Sequence, residues 1–399
     1  MNPIAYLKKN GIRHAIEVLY RFKLQQIIEK IILIINKRKK LKDIIVIESH
    51  NDFDCNGGAF YQYLIDNDYN QFYRIVWLLK NKRVQKLPYN VTSVSLNKPS
   101  IRRAYYRSIS KFLTSDCYLN TKLRTDQKAF FFTHGGISLK NCKGRMHIPD
   151  EIDYVLAPSE NYAPIMANQL DLPFPNDKFL YLGYPVHDCL YTPSTNEIKK
   201  VTQQSYHSVV LWMPTFRKGG GHNRVDSTAE QPLGVPLIES KAQLQILNAL
   251  LEKLDCLLII KIHPMQEKET IRVKECSNIK VLTGDTVKKL KIDNYKLMKD
   301  TDALISDYSA VAFDYLHLDR PIAYVMADRE EYKLGFVVED PHEMMAGKEI
   351  LKFDDMLDFI RDTAAGRDDY RQERMALSER LFQFHDGYSC KRIAEFMGL

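Results

Sequence analysis

The chain has 399 residues, 45% of them apolar and 27% charged, and 57 basic against 50 acidic side chains leave a net charge of +7. That length is too great for one core and suits two domains of roughly 150 to 200 residues, with the composition of an ordinary soluble globular protein. Seven cysteines, widely scattered and with no C-x-x-C pair, suggest neither a disulfide framework nor a zinc site and fit a reduced cytosol best.

The first segment, residues 1–41, carries most of the charge imbalance. Lys8, Lys9, Arg13, Arg21, Lys23, Lys30, Lys37, Arg38, Lys39 and Lys40 stand against Glu17 and Glu29, a net +8, so the remaining chain is nearly neutral. Ile16, Leu19, Tyr20, Phe22, Ile27, Ile28, Ile31, Ile32, Ile34 and Ile35 are spaced to give one helix an apolar face beside the cationic one. Such a helix lies on an anionic membrane surface, or packs on its own protein and keeps a solvated basic face. Its longest apolar run, Ile31 to Ile35, is far shorter than the roughly 20 residues that span a bilayer, and no cleavage site follows. Nucleic-acid binding is disfavoured because stacking aromatics are not interleaved with the charges.

Beyond the leader, strands and helices alternate. Strands are expected at Asp43–Glu48, Arg74–Leu79, Val91–Leu96, Cys117–Leu119 and Lys128–Thr133, with helices at Ala59–Asp66 and Ile101–Phe112. A linker rich in Thr, Ser, Asn and Lys follows the Gly183-Tyr184-Pro185 turn. A second set then begins: strand Ser208–Met213, a glycine-rich loop at 218–221, helix Lys241–Lys253, and strands Leu257–Ile262 and Ile279–Leu282. The tail is helical over Asp369–Phe382 and Ser389–Met397. The expected units are 1–41, a basic membrane-associating segment; 42–195, an acceptor-side domain; 206–377, a donor-side domain; and 378–399, a helix returning to the first domain. Alternation of this kind builds parallel sheets covered on both faces. Two such Rossmann-like sheets joined by a linker place a cleft between their strand carboxyl ends, the layout of GT-B transferases.

The most informative stretch is Asp302–Val325. Ala303–Ile305 reads as a buried strand, Ser306, Asp307, Tyr308 and Ser309 as capping residues, Ala310–Leu318 as a helix, and Pro321–Val325 as the next strand. Free N–H groups and the positive dipole end at such a helix start attract phosphate, although the same residues also cap ordinary βαβ units. Three further side chains fall at strand ends. His134 is followed by Gly135 and Gly136, which permit close backbone approach of a ligand. His263 is held by Pro264, and Arg217 stands where a guanidinium can grip phosphate in two places. A neutral histidine there can accept a hydroxyl proton, and a protonated one can neutralise phosphate.

T-H-G-G-I-S-L-K at 133–140, G-Y-P-V-H-D at 183–188, M-P-T-F-R at 213–217, K-I-H-P at 261–264, S-D-Y-S-A-V-A-F-D at 306–314 and D-R-P-I-A-Y at 319–324 appear in that order. E-E-Y-K-L-G-F at 330–336 and F-H-D-G-Y-S at 384–389 follow. From about residue 43 to its end, the chain resembles the CDP-glycerol glycerophosphotransferase family, the primases and polymerases of teichoic acid and related capsule polymers. The resemblance implies that His134 is the general base and that His263, Ser309 and Ala310 line the donor diphosphate. Gly135, Ser306, Asp307 and Arg217 stand beside them, Asp307 as a cap or loop brace. Ala310 replaces a second serine, Val186 an arginine, and the H-G-T-P-L-K pattern gains a residue and lacks its proline. Those departures lie mostly on the acceptor side.

The implied reaction moves glycerol phosphate, or another alditol phosphate such as ribitol phosphate, from a CDP-alditol to a hydroxyl of a polymer or lipid-linked glycan, releasing CMP. No cofactor is firmly implied, and the divalent-cation requirement stays open. The expected location is the inner face of the cell membrane, on its cytoplasmic side. A GT-B glycosyltransferase using a nucleotide sugar remains the alternative, and a non-catalytic scaffold a third reading.

Overall fold

A computed structural model describes residues 3–80, 86–134, 136–219 and 224–399. Gly135 and residues 220–223, which include Gly220 and Gly221 of the glycine-rich loop, lie outside the described residues.

The first sheet is built from β1 (Lys42–Ile47), β2 (Arg74–Leu79), β3 (Val91–Ser95), β4 (Ser110–Ser115), β5 (Lys128–Phe131), β6 (Tyr154–Leu156) and β7 (Phe179–Leu180). It is parallel throughout, in the order β3-β2-β1-β4-β5-β6-β7. After β8 (Ser208–Trp212), the hairpin strands β9 (Lys218–Gly219) and β10 (Arg224–Val225) stand apart. The second sheet continues with β11 (Cys256–Lys261), β12 (Ile279–Leu282), β13 (Ala303–Ser306), β14 (Ile322–Val325) and β15 (Lys348–Ile350), in the order β12-β11-β8-β13-β14-β15, also parallel. The expected pair of parallel α/β sheets is therefore present. Each reverses its strand order once, between β1 and β4 in the first and between β8 and β13 in the second. Ligands of open parallel sheets bind at such switch points.

The apolar runs explain these strands. Every residue of β8 and of β11 is buried, as expected of strands covered on both faces. Val209 and Leu211 of β8 face a cluster that also takes in Leu113, Phe131 and Ile137 of the first half, whereas Val210 and Trp212 face a second cluster with Leu247 and Phe359. One core thus runs through both halves.

Three expectations need correction. The helix at Ile101 ends at Ile109, because Ser110–Ser115 is the buried strand β4 with its N–H groups in the ladder to β1. Cys117–Leu119 is loop beyond β4, not a strand. The coil expected over Ala310–Leu318 is α-helical only at Val311–Asp314 and tightens to a 3-10 turn at Tyr315–Leu318, and its N-cap is Ala310, without a side-chain cap bond, rather than Ser309.

The leader forms a helix over Pro3–Asn36 that is broken at Gly11, whose φ of 76° lies outside helical space. It docks on the helix Ile101–Ile109 through polar contacts. Glu29 pairs with Arg107 at 2.6 Å, Gln25 accepts from the Ser100 N–H at 2.8 Å, and Asn36 donates to Ser108 at 2.9 Å. Its apolar side chains Ile12, Ile16, Tyr20, Ile27, Ile31, Ile34 and Ile35 all stay exposed. No helix among the described residues is long and apolar enough to cross a membrane.

The last helix, Ser389–Met397, packs on the first sheet: Cys390, Ile393, Ala394 and Met397 join Phe60, Leu64 and Phe130. Asp188 caps it across the fold, accepting from the N–H groups of Ser389 and Cys390, each at 2.8 Å.

Candidate active site

The floor of the cleft on the first half is made where β1 and β4 end. Glu48, just past β1, is buried; it pairs with Lys80 at 2.8 Å and accepts from the N–H groups of Cys117 and Tyr118. Asp116, just past β4, accepts from the N–H of His50 at 2.5 Å and of Gly57 at 2.9 Å. Burial, reinforced by the neighbouring Glu48 charge, pushes the Asp116 carboxyl up to about 7 despite those bonds. The turn between Glu48 and the helix Cys55–Asp66 is tight. A Cβ on Gly58 would stand 2.6 Å from the carbonyl carbon of Phe53, so only glycine fits there.

His134 rises from the end of β5 onto this floor. Its ring stacks on that of His50 with centroids 3.9 Å apart and planes 13° from parallel, and its Nδ1 lies 3.2 Å from the Cys55 sulfur. Phe53, Cys55 and Thr133 around it all adopt positive φ, at 61°, 54° and 62°. Such strain at non-glycine residues is typical of functional sites. Asn56 secures the arrangement, donating to the carbonyls of Phe132 and Thr133 and accepting from the N–H of Val186. His134 is exposed as a residue, but the His50 ring and the Cys55 sulfur crowd its imidazole and strip away water. That desolvation, with His50 opposite, pulls its pKa to about 4, and Asp54 offsets only part of the effect. His134 is therefore a neutral imidazole at neutral pH, able to accept a proton.

The second half contributes the ends of β8, β11 and β13. His263 follows β11 and accepts the Met265 N–H at Nδ1, 3.1 Å away, which assigns its own proton to Nε2; its ring lies 4.8 Å from that of Phe216. Ser309 and Ala310 are half-buried at the start of the short helix after β13. Ser306 is fully buried, and its hydroxyl oxygen has no hydrogen-bond partner. Asp307 is also buried and braces the 213–217 loop, accepting from the Thr215 N–H at 2.8 Å and hydroxyl at 2.6 Å.

The phosphate grip expected of Arg217 is corrected by its surroundings. The guanidinium is buried, forks onto both oxygens of Asp328 at 2.6 and 2.8 Å, and reaches Asp307 at 2.8 Å and the Thr215 carbonyl at 2.8 Å. Four of its five N–H donors are spent on structure. Three further histidines, none singled out by its place in the sequence, lie nearby. His50 stacks on His134, whereas His187 bonds Asp314 at 2.8 Å and lies 4.3 Å from the His317 ring where the two halves join.

The halves meet around these groups. Asn141 donates to the Gly335 carbonyl and Val337 to the Leu139 carbonyl, tying the loop after His134 to the second half. Asp54 lies within charge range of Lys261 at the end of β11, and Asp314 within that of Cys55. Among the described residues no group of three or more His, Cys, Asp or Glu is arranged to hold a metal ion.

Two facing parallel sheets, each presenting its switch point to a shared cleft, define the GT-B type of fold. The chain belongs to the CDP-glycerol:poly(glycerophosphate) glycerophosphotransferase family, whose pattern matches residues 31–398. It is 23% identical over 340 residues to the teichoic acid poly(glycerol phosphate) polymerase of Bacillus spizizenii, covering 79% of this chain and 81% of that one. It is 26% identical to the teichoic acid ribitol-phosphate primase of the same organism, covering 61% of this chain and 59% of the primase. The fold superposes on the structure of the wall teichoic acid polymerase TagF with a TM-score of 0.74 at 19% identity, covering 100% of this chain and 98% of that one.

Proposed function

We propose that the chain transfers glycerol phosphate, or another alditol phosphate, from a CDP-alditol to a hydroxyl of a teichoic-acid-like or capsular polymer or of its lipid-linked acceptor. The observation that carries this reading is the neutral His134 ring on the floor of the cleft, stacked on His50 and beside Cys55. Its Nε2 takes the acceptor proton, the acceptor oxygen bonds the alditol-bearing phosphorus, and the bond from that phosphorus to the bridging oxygen breaks as CMP leaves. His263, donating from Nε2, and the amides at Ser309 and Ala310 hold the diphosphate, with Ser306 and Asp307 shaping the loop behind them. Such a site works by alignment and by stabilising charge that moves from the acceptor to the leaving group.

The exposed isoleucine face of the first helix, with its lysines and arginines, supports a second part of the proposal. It rests on the anionic inner face of the cell membrane, beside a lipid-linked acceptor.

The test is a donor screen on purified protein. CMP release from CDP-glycerol or CDP-ribitol that rises with polymer acceptor supports the reading. Transfer from UDP-sugars with neither CDP-alditol consumed would replace it with sugar transfer.

A further inference from the structure

Among the described residues, buried lysines and arginines are held by oxygen atoms, with one exception. Lys299 donates to the carbonyls of Cys189 and Pro193 and to Thr192, at 2.8 to 2.9 Å. Arg374 pairs with Asp368 and Asp319, Arg217 with Asp307 and Asp328, and Arg103 donates to the carbonyls of Ser95 and Leu96. Lys261 is buried as deeply, at 5% exposure, yet its ammonium has no hydrogen-bond or ion-pair partner among the described residues.

Its place in the fold says what the missing partner is. Lys261 is the last residue of β11, paired in register with Leu282 and two positions before His263. The alternation of the strand puts it on the same side as Leu257 and Ile259, which belong to the cluster shared by both halves. The acidic group that reaches it electrostatically is Asp54, across the cleft beside Cys55. Burial pulls the ammonium pKa to about 8, and Asp54 recovers only a fraction. An unpaired buried ammonium is costly to the folded chain and becomes favourable only when an anion arrives.

We propose that Lys261 is a donor contact whose counterion is the diphosphate of the bound nucleotide, supplied by the substrate rather than by the protein. This rests on the transfer reading above. The cation reaches the diphosphate from the β11 side and helps to neutralise the charge that builds on the departing CMP.

Lys261→Met and Lys261→Arg, with CDP and cytidine as calorimetric probes, test the assignment. In Lys261→Met the expected result is CDP affinity weakened at least tenfold, cytidine affinity unchanged, and a melting temperature equal to or above that of the wild type, with Lys261→Arg recovering part of the CDP affinity. Unchanged CDP affinity, or a weakening that comes with a lowered melting temperature and no recovery in Lys261→Arg, overturns it. CDP binding needs no turnover, so a wild type that binds CDP through Lys261 but releases no CMP from either CDP-alditol would sink the transfer reading alone.

Discussion

The Cys55 sulfur lies 3.2 Å from Nδ1 of His134, and this contact decides which ring nitrogen can act as a base. Burial, helped by the surrounding carboxylates, holds the Cys55 thiol well above its usual pKa, so it stays neutral. When Nδ1–H donates to the sulfur, Nε2 is left with a lone pair that can accept a proton; the reverse bond puts the proton on Nε2 and blocks it. Cys55→Ala removes the constraint, and kcat is expected to fall about tenfold, the worth of about 1.4 kcal/mol in the barrier. Cys55→Ser, which retains a partner for Nδ1, recovers most of it. Steady-state kinetics on the two variants checks this, and equal activity in both would contradict it.

The pH profile follows from the same ring. In the free protein desolvation holds the pKa of His134 at about 4, below the usual histidine value of 6.5. As the anionic donor enters, its charge raises that pKa. The acid limb of kcat/KM, which reports the free enzyme, should therefore lie at lower pH than the acid limb of kcat, which reports the complex. Coincident limbs in both profiles would contradict the assignment.

Asp116 makes a prediction of opposite sign for stability. Its folded pKa of about 7 lies above the unfolded carboxylate value of 3.8, so between those values the folded chain binds the proton and the unfolded chain does not. Its contribution to stability is complete below the unfolded value and is lost as pH rises toward 7. Asp116→Asn, which cannot ionise, should flatten the decline between pH 4 and pH 7 in denaturant midpoints. An unchanged slope in the variant would show that Asp116 is ionised throughout.

Much of this arrangement was legible in the sequence, and the failures have physical causes. SVVLW and CLLIIK are unbroken apolar runs, and strands buried on both faces read that way. Tyr154–Leu156 and Phe179–Leu180 are too short to show a period, and Ser110–Ser115 continues an apolar pattern that began as a helix. His134 and His263 stood out because they end strands. Arg217 was misread because its partners, Asp307 and Asp328, lie 90 and 111 positions away, and His50 gives no signal of its own because its neighbour His134 is also remote in the chain.

Arg217 therefore tests structure rather than affinity. Arg217→Ala leaves the buried Asp307 and Asp328 charges uncompensated and is expected to cost about 3–5 kcal/mol. Arg217→Lys should also lose much of that, since an ammonium cannot fork onto Asp328 and still reach Asp307. Chemical unfolding measures both, and an unaltered midpoint with a raised donor KM would restore the phosphate grip.

The first helix separates docking from membrane contact. Ile27, Ile31 and Ile34 are exposed, whereas Glu29 and Asn36 make the contacts to the helix Ile101–Ile109. Replacing the three isoleucines by serine should reduce binding to vesicles rich in phosphatidylglycerol at least tenfold without lowering the melting temperature. Cosedimentation unaffected by the change would remove the membrane from the account.

The central claim is that His134 takes the acceptor proton. Rapid-quench measurement of CMP formed in a single turnover, with CDP-alditol and polymer acceptor at saturating levels, tests it most directly. In His134→Ala, CDP binding should match the wild type while the rate of CMP formation drops by about 10²-fold or more. A variant that binds CDP normally and forms CMP at the wild-type rate would contradict the claim.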